Sequence, residues 1–85
     1  MLLSSHAVSD AADAALLRAI GARARERRVA LGLSRQEVAD RAGMNPHYVG
    51  GIERGERNVG TLNLARLAQA LDYADLGEFL SGLGL

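Results

Sequence analysis

The chain of 85 residues contains no cysteine, no tryptophan and no lysine, and its one proline is Pro46. Because cysteine is missing, disulfides, thiolate zinc sites and cysteine nucleophiles are excluded. The two histidines, His6 and His47, lie far apart in the sequence, so we expect neither a metal nor a cofactor. The chain also lacks the run of ~20 apolar residues that a membrane span requires, and its first residues lack the basic region of a signal peptide. We therefore expect a cytoplasmic protein that makes no membrane contact.

Hydrophobic residues account for 48% of the sequence, enough for one domain with a packed interior. There is no alternating strand pattern, whereas apolar residues recur at helical spacing between glycines and capping residues. The sequence thus predicts an all-α fold, a compact bundle of five helices. The predicted helices run from about Asp10 or Ala14 to Leu31, from Ser34 to Gly43, from Pro46 to about Arg54, from Thr61 to about Leu71 and from Asp75 to about Leu80. Residues 1–10 are predicted to be an N-terminal tail, and residues 11–85 a single folded domain.

The second and third predicted helices are short and closely spaced. Ser34 and Glu37 have the spacing of a capping box, in which each side chain accepts a bond from the other's backbone N–H. Gly43 permits the positive φ of a tight turn. Asn45 can cap the next helix, and Pro46 suits its first position because no intrahelical partner exists there for an N–H. Two short helices joined by a tight turn form a helix-turn-helix, whose second helix enters the major groove of DNA.

The formal net charge is zero, but the charges are unevenly distributed. All ten basic residues are arginines between Arg18 and Arg66, where they face five acidic residues, while both ends of the chain are acidic. A basic middle fits a nucleic-acid face opposite a neutral or acidic back. The alternative interpretation is a solvated, arginine-rich helix.

Two segments, Ser34–Gly43 and Tyr48–Gly55, resemble the phage-repressor family of helix-turn-helix proteins, also called the xenobiotic-response-element type. The similarity includes Leu-Gly-Leu-Ser at the start of the second helix and Ile-Glu-Arg-Gly at the end of the third. Within that family, residues 48–71 are most similar to controller proteins of restriction–modification systems. The resemblance implies that residues 11–85 form a lambda-repressor-like, helix-turn-helix DNA-binding domain that ends in a dimerisation helix. We expect a sequence-specific regulator of transcription that binds a pseudo-palindromic operator in double-stranded DNA as a homodimer.

Phosphate contacts would fix the position of such a protein on DNA. Arg35 lies in the first turn of the second helix, where the helix N-terminus and the guanidinium can hold one phosphate together. The family usually has glutamine at this position, so Arg35 is a departure. Tyr48 can either pack or donate its hydroxyl to a phosphate, and each arginine can also be an ordinary surface charge. The expected phosphate-binding residues are Arg35, Tyr48, Arg54 and Asn58.

Base contacts would supply sequence specificity. Asparagine can pair with adenine, and histidine can donate to guanine. Two adjacent glycines, Gly50 and Gly51, each weaken the third helix, and their missing side chains either let the helix approach the groove closely or merely relieve crowding. The expected base-reading residues are Asn45, His47, Gly51 (through the surface that it opens) and Arg57.

Two further features concern the assembly of the fold. The family pattern pairs a basic residue of the first helix with the glutamate that ends the third, which implies a partly buried salt bridge between Arg28 and Glu53 that orients the recognition helix. The C-terminal residues carry more apolar surface than a monomer of this size covers, and such a patch usually marks an interface. The expected dimer contacts are Leu76, Phe79, Leu80, Leu83 and Leu85; the alternative is a tail folded back on its own core.

Other functions fit the sequence less well. The alternatives are an antitoxin, or a protein-interaction module that keeps this fold without reading DNA. The zero net charge, Gly50 and Gly51 slightly favour the interaction module, whereas the arginine cluster argues against it. An enzyme is not expected, because the sequence shows no nucleophile–base pair, phosphate-binding loop or metal-ligand spacing. No effector domain is evident, so no small-molecule ligand is expected either.

Overall fold

The computed structural model describes the backbone of residues 2–84 and the side chains of residues 10–84. Met1, Leu85 and the side chain of His6 lie outside the described residues. Within the described range the chain forms five α-helices and no strand, so the predicted fold class is confirmed. The helices are α1 (Leu2–Ala30), α2 (Arg35–Ala42), α3 (Pro46–Glu53), α4 (Thr61–Ala70) and α5 (Leu76–Leu80).

The first helix begins earlier than predicted. It starts at Leu2 rather than at Asp10 or Ala14 and runs for 29 residues. The reason is local, because the sequence contains no proline and no glycine before Gly21 and is rich in alanine and leucine, which favour helix.

Gly21 lies where α1 crosses the end of α3. A Cβ atom at this position would lie 2.7 Å from the carbonyl oxygen of Glu53 and would also collide with that of Ile52. The missing side chain therefore lets the two helices approach backbone to backbone. This close approach outweighs the ~1 kcal/mol by which glycine weakens a helix relative to alanine.

The turn between α2 and α3 is fixed by its capping residues. The Glu37 N–H donates to the Ser34 hydroxyl and the Ser34 N–H donates to the Glu37 carboxylate, both at 3.0 Å, which confirms the predicted capping box. Gly43 ends α2 with a φ of 68°, in the left-handed region. Asn45 then caps α3, since its Oδ1 accepts the His47 N–H at 2.8 Å.

The core lies between α1 and the four shorter helices, with α3 packed on α1, α2 packed on α3 and α4, and α5 on α4. Its largest fully buried side chains are Phe79, Ile52, Leu67, Leu71, Val38 and Val49. The assignment of Phe79 to a dimer interface is therefore wrong. The ring faces the core, where it stacks on the Tyr73 ring at a centroid distance of 5.1 Å.

Arginine side chains stabilise the C-terminal end of α4. Arg27 donates to the carbonyl oxygens of Leu71, at 2.8 Å, and of Asp72, at 3.0 Å. Arg41 donates to the carbonyl oxygen of Ala70 at 3.3 Å. The last carbonyls of a helix have no intrahelical donor, and a cation is favourable at this end of the helix dipole. These two arginines thus have structural roles that the charge pattern did not reveal.

Candidate nucleic-acid interface

The N-terminal turn of α3 is exposed, while its opposite side is buried through Val49 and Ile52. Asn45 and His47 both lie on the exposed turn. Oδ1 of Asn45 accepts the capping hydrogen bond, and the Nδ2 group of the same amide is the donor that can face a ligand. A carbonyl oxygen has a second lone pair, so Asn45 can cap the helix and still make contacts outward.

Arg57 lies across the middle of α3. Its Cγ and Nε are 2.9 Å and 3.0 Å from the position that a Cβ atom would take on Gly51. Its guanidinium carbon is 5.9 Å from the centroid of the Tyr48 ring, within the range of a cation–π contact. The Tyr48 hydroxyl is 3.5 Å from Nδ2 of Asn63, which is on α4. The surface that Gly51 was expected to open is therefore covered by the Arg57 side chain.

Two other arginines approach Gly50, the neighbouring glycine. An added Cβ atom there would lie 3.1 Å from Nη1 of Arg54 and 3.7 Å from Cδ of Arg35. The Arg54 side chain is exposed and its Nε pairs with Glu56 at 3.1 Å. A surface ion pair of this kind contributes little to stability, so Arg54 can exchange its carboxylate partner for an anion outside the protein.

The carboxylate of Glu53 holds two arginines beneath this surface. Its oxygens accept from Nε of Arg28 at 2.6 Å and from Nη2 of the same residue at 3.1 Å, a bidentate arrangement. Nε of Arg35 donates to Oε1 at 3.1 Å. The Glu53 side chain is 2% exposed, whereas that of Arg35 is 47% exposed. The structure thus brings Arg28 and Glu53 together and adds Arg35, which the sequence pattern did not connect to them.

The network around Glu53 is fully hydrogen-bonded. Nη1 of Arg28 donates to the carbonyl oxygen of Leu33 at 2.9 Å, in the loop before α2. The bond to the carboxylate raises the pKa of the Arg28 guanidinium above its ordinary value, so this group keeps its charge. The buried carboxylate therefore connects the end of α1, the start of α2 and the last turn of α3.

Asn58, the remaining predicted phosphate contact, is exposed in the loop after α3. It borders a depression of about 220 Å³ that is otherwise lined by Asp13, Leu16 and Leu17 of α1. Asn58 thus lies beside α1, next in sequence to Arg57 but on the side of the loop that faces the first helix.

A protein-family profile described as helix-turn-helix matches residues 25–79, which is more than half of the chain. The chain belongs to the helix-turn-helix family. The family's members of the Cro/repressor type are DNA-binding transcriptional regulators. In this helix-turn-helix protein, α2 and α3 are the two helices of the motif and α3 is the recognition helix. The first 24 residues, and with them most of α1, precede the matched region.

Solved structures support the same assignment. The restriction–modification controller protein C.AhdI from Aeromonas hydrophila is 46% identical and superposes with a TM-score of 0.70, over 74% of this chain and 94% of that one. The clp gene regulator ClgR from C. glutamicum is 31% identical with a TM-score of 0.70, over 76% of this chain and 83% of that one. The predicted similarity to controller proteins is thus found in a solved structure.

A curated relative is an uncharacterised transcriptional regulator of the helix-turn-helix type, y4dJ, from Sinorhizobium fredii. It is 45% identical over 40 residues, which are 47% of this chain and 52% of the relative. The match spans about half the length of that protein.

Among the described residues, no three acidic, histidine or cysteine side chains are grouped so as to hold a metal ion. No helix in the described part of the chain is long and apolar enough to cross a lipid bilayer.

Proposed function

We propose that this helix-turn-helix regulator binds a specific, pseudo-palindromic operator in double-stranded DNA as a homodimer. The observation that carries the proposal is the surface of α3. Its N-terminal turn exposes Asn45 and His47, and three arginine side chains, Arg35, Arg54 and Arg57, lie over Gly50 and Gly51 further along the helix. A protruding helix edge fits the major groove, and guanidinium groups beside it suit the phosphates on either side. A regulator of this kind would act in the cytoplasm, as the sequence led us to expect.

We assign phosphate binding to Arg35 and Arg54, whose side chains lie near Gly50, and to Asn58. Arg35 is held through Nε by Glu53 while its side chain stays 47% exposed, so it brings a pre-oriented cation to the start of α2. Arg54 adds a mobile cation at the other end of the recognition helix. Tyr48 is half-buried, with its ring beneath Arg57 and its hydroxyl near Asn63. Its principal role in the proposed complex is therefore packing rather than phosphate binding.

Base reading falls to Asn45, His47 and Arg57. Asn45 and His47 lie on the turn that would enter the groove first, with hydrogen-bonding groups that match base edges. Arg57 can donate two hydrogen bonds to a guanine, which is the commonest specific contact of this type.

The dimer is proposed to form through the C-terminal part of the chain. Leu76, Leu80 and Leu83 are half-buried at the surface of the core and present the remaining apolar area there. A two-fold axis near these residues would place two recognition helices about one DNA turn, ~34 Å, apart. The operator would then consist of two inverted half-sites with that spacing.

The test is selection of binding sites from random duplexes with purified protein, followed by gel-shift titration at several salt concentrations. We expect an inverted repeat and an affinity that falls steeply with salt, because phosphate contacts release counterions. Arg54→Ala should reduce the slope of log affinity against log salt by about one. The control is Arg41→Ala, which removes the same charge at the far end of α2 and should leave the slope unchanged. Failure to detect a complex with any duplex at low ionic strength would refute the proposal.

A further inference from the structure

We infer that Gly51 is a positioning residue for Arg57: the glycine leaves a groove on the recognition helix, and the Arg57 stem lies in it. In this arrangement a side chain from the loop after α3 crosses the helix and supplies a base contact that no residue at position 51 provides directly. The inference rests on the proposed function, which it deepens by assigning a specificity role to a residue without a side chain.

The contacts at Gly51 differ from those at Gly21, the glycine of α1. The three atoms nearest to its Cβ position all belong to Arg57, with Cγ at 2.9 Å, Nε at 3.0 Å and Cδ at 3.5 Å. At Gly21 the nearest atoms are backbone carbonyls of α3, which cannot move away. A methyl group at Gly51 would therefore have to displace the stem of Arg57, beginning at its Cγ atom.

The opposite side of the groove is formed by Tyr48. Its ring faces the Arg57 guanidinium at 5.9 Å, and Asn63 on α4 contacts the ring's hydroxyl. Tyr48 and Gly51 are three residues apart and so share a face of α3. The Tyr48 ring and Gly51 together order the Arg57 side chain before DNA binds. The entropic cost of ordering this long side chain is therefore not incurred on binding.

Helix stability does not account for a glycine here, because alanine is the better helix former at an interior position. Gly51→Ala is therefore expected to raise the melting temperature slightly or leave it unchanged, while it lowers sequence discrimination. A residue with a purely structural role would not produce these opposite effects.

The experiment compares the affinity of each variant for the selected operator with its affinity for a scrambled duplex. Gly51→Ala should reduce this ratio about tenfold, as expected for the loss of one bidentate base contact. Gly50→Ala is the matched control: it adds the same methyl group to the same helix but approaches only Arg54 and Arg35, so the ratio should stay that of the wild type. In an Arg57→Ala background, Gly51→Ala should have no further effect on the ratio.

A measurement without DNA separates this inference from the proposed function. In the wild type, NMR should show the Arg57 side-chain protons shifted by the Tyr48 ring current, and Gly51→Ala should return them to random-coil positions. Unchanged shifts in Gly51→Ala would overturn the inference even if the protein binds no duplex. The inference would also be overturned if Gly51→Ala kept the wild-type ratio of operator affinity to scrambled-duplex affinity. It would equally be overturned if Gly51→Ala lowered this ratio further in the Arg57→Ala background, because the methyl group would then obstruct DNA itself.

Discussion

At the scale of single residues, Glu53 determines how the recognition helix is held. Two guanidinium groups share its carboxylate, which is almost completely withdrawn from solvent. A buried ion pair adds little net stability, but removing one partner leaves an uncompensated charge in the interior. The role of Glu53 is therefore to fix the position of α3 relative to α1 and α2 rather than to make the protein more stable than an apolar residue would.

The corresponding prediction concerns Glu53→Ala. We expect a loss of about 3–5 kcal/mol in the free energy of unfolding, because Arg28 would lose its bidentate partner. At about 4–8 °C per kcal/mol for a domain of this size, the loss should lower the melting temperature by about 12–40 °C in a thermal scan. The control, Glu56→Ala, removes a carboxylate whose side chain is 58% exposed and should change the stability by less than about 0.5 kcal/mol. A shift of only a degree or two for Glu53→Ala would contradict the assigned role.

The residues that could be predicted from the sequence are those whose partners are near in the chain or fixed by the helix-turn-helix pattern. The Ser34–Glu37 box depends on four consecutive residues, and the contact of Arg28 with Glu53 follows from the family pattern. The contacts of Arg35 with Glu53 and of Arg57 with Gly51 could not be predicted. A long flexible side chain can reach many positions, and the packing of the helices, rather than local spacing, selects one of them.

At the scale of the helices, the capping box of α2 makes the folding stability depend on pH. The pKa of Glu37 is lowered, first by the hydrogen bond from the Ser34 backbone N–H and then by the Ser34 hydroxyl. The folded state therefore favours the ionised carboxylate. The resulting stability is fully present above the unfolded pKa of about 4.3 and is lost as the pH falls through the lower pKa of the folded state.

This dependence can be isolated with Glu37→Gln, which keeps the capping geometry but cannot ionise. The difference in unfolding free energy between wild type and Glu37→Gln should be constant above about pH 5 and shrink towards pH 3. Urea titrations at several pH values would measure it. A difference that stays the same down to pH 3 would show that the folded protein does not depress the pKa of this carboxyl group.

Helix boundaries were predictable where the sequence contains a stop or a cap, and less so elsewhere. Gly43 and Asn45 separate α2 from α3, and Asp75 caps α5 by accepting the Glu78 N–H at 2.8 Å. The start of α1 is not marked by a proline or glycine, and the helix continues upstream of Asp10 to Leu2. Packing, in contrast, placed Phe79 in the core although its position in the sequence suggested a surface contact.

At the scale of the whole molecule, the zero net charge conceals that the arginines have two different roles, one in the fold and one in the proposed DNA-binding face. Arg27 and Arg41 bind carbonyl oxygens at the end of α4, and Arg28 neutralises a buried carboxylate. These three guanidinium groups are hydrogen-bonded within the protein, so they add little positive charge to a DNA-binding face. The face proposed here therefore depends on a few positioned arginines rather than on a broad basic surface, and specific contacts must supply much of the discrimination against other DNA.

The proposed dimer is the property of the whole molecule that a single substitution can test. Sedimentation equilibrium at micromolar concentrations should give twice the chain mass of 9.0 kDa. Leu83→Lys should shift the equilibrium towards the monomer, because it places a charge on the half-buried apolar surface beside α5. Val29→Lys introduces the same charge at a side chain that is 55% exposed in the last turn of α1, and it should sediment like the wild type. A strictly monomeric wild type would refute the proposed dimer. It would not refute the proposal that α3 binds a single half-site, since the recognition helix and its arginines belong to one chain.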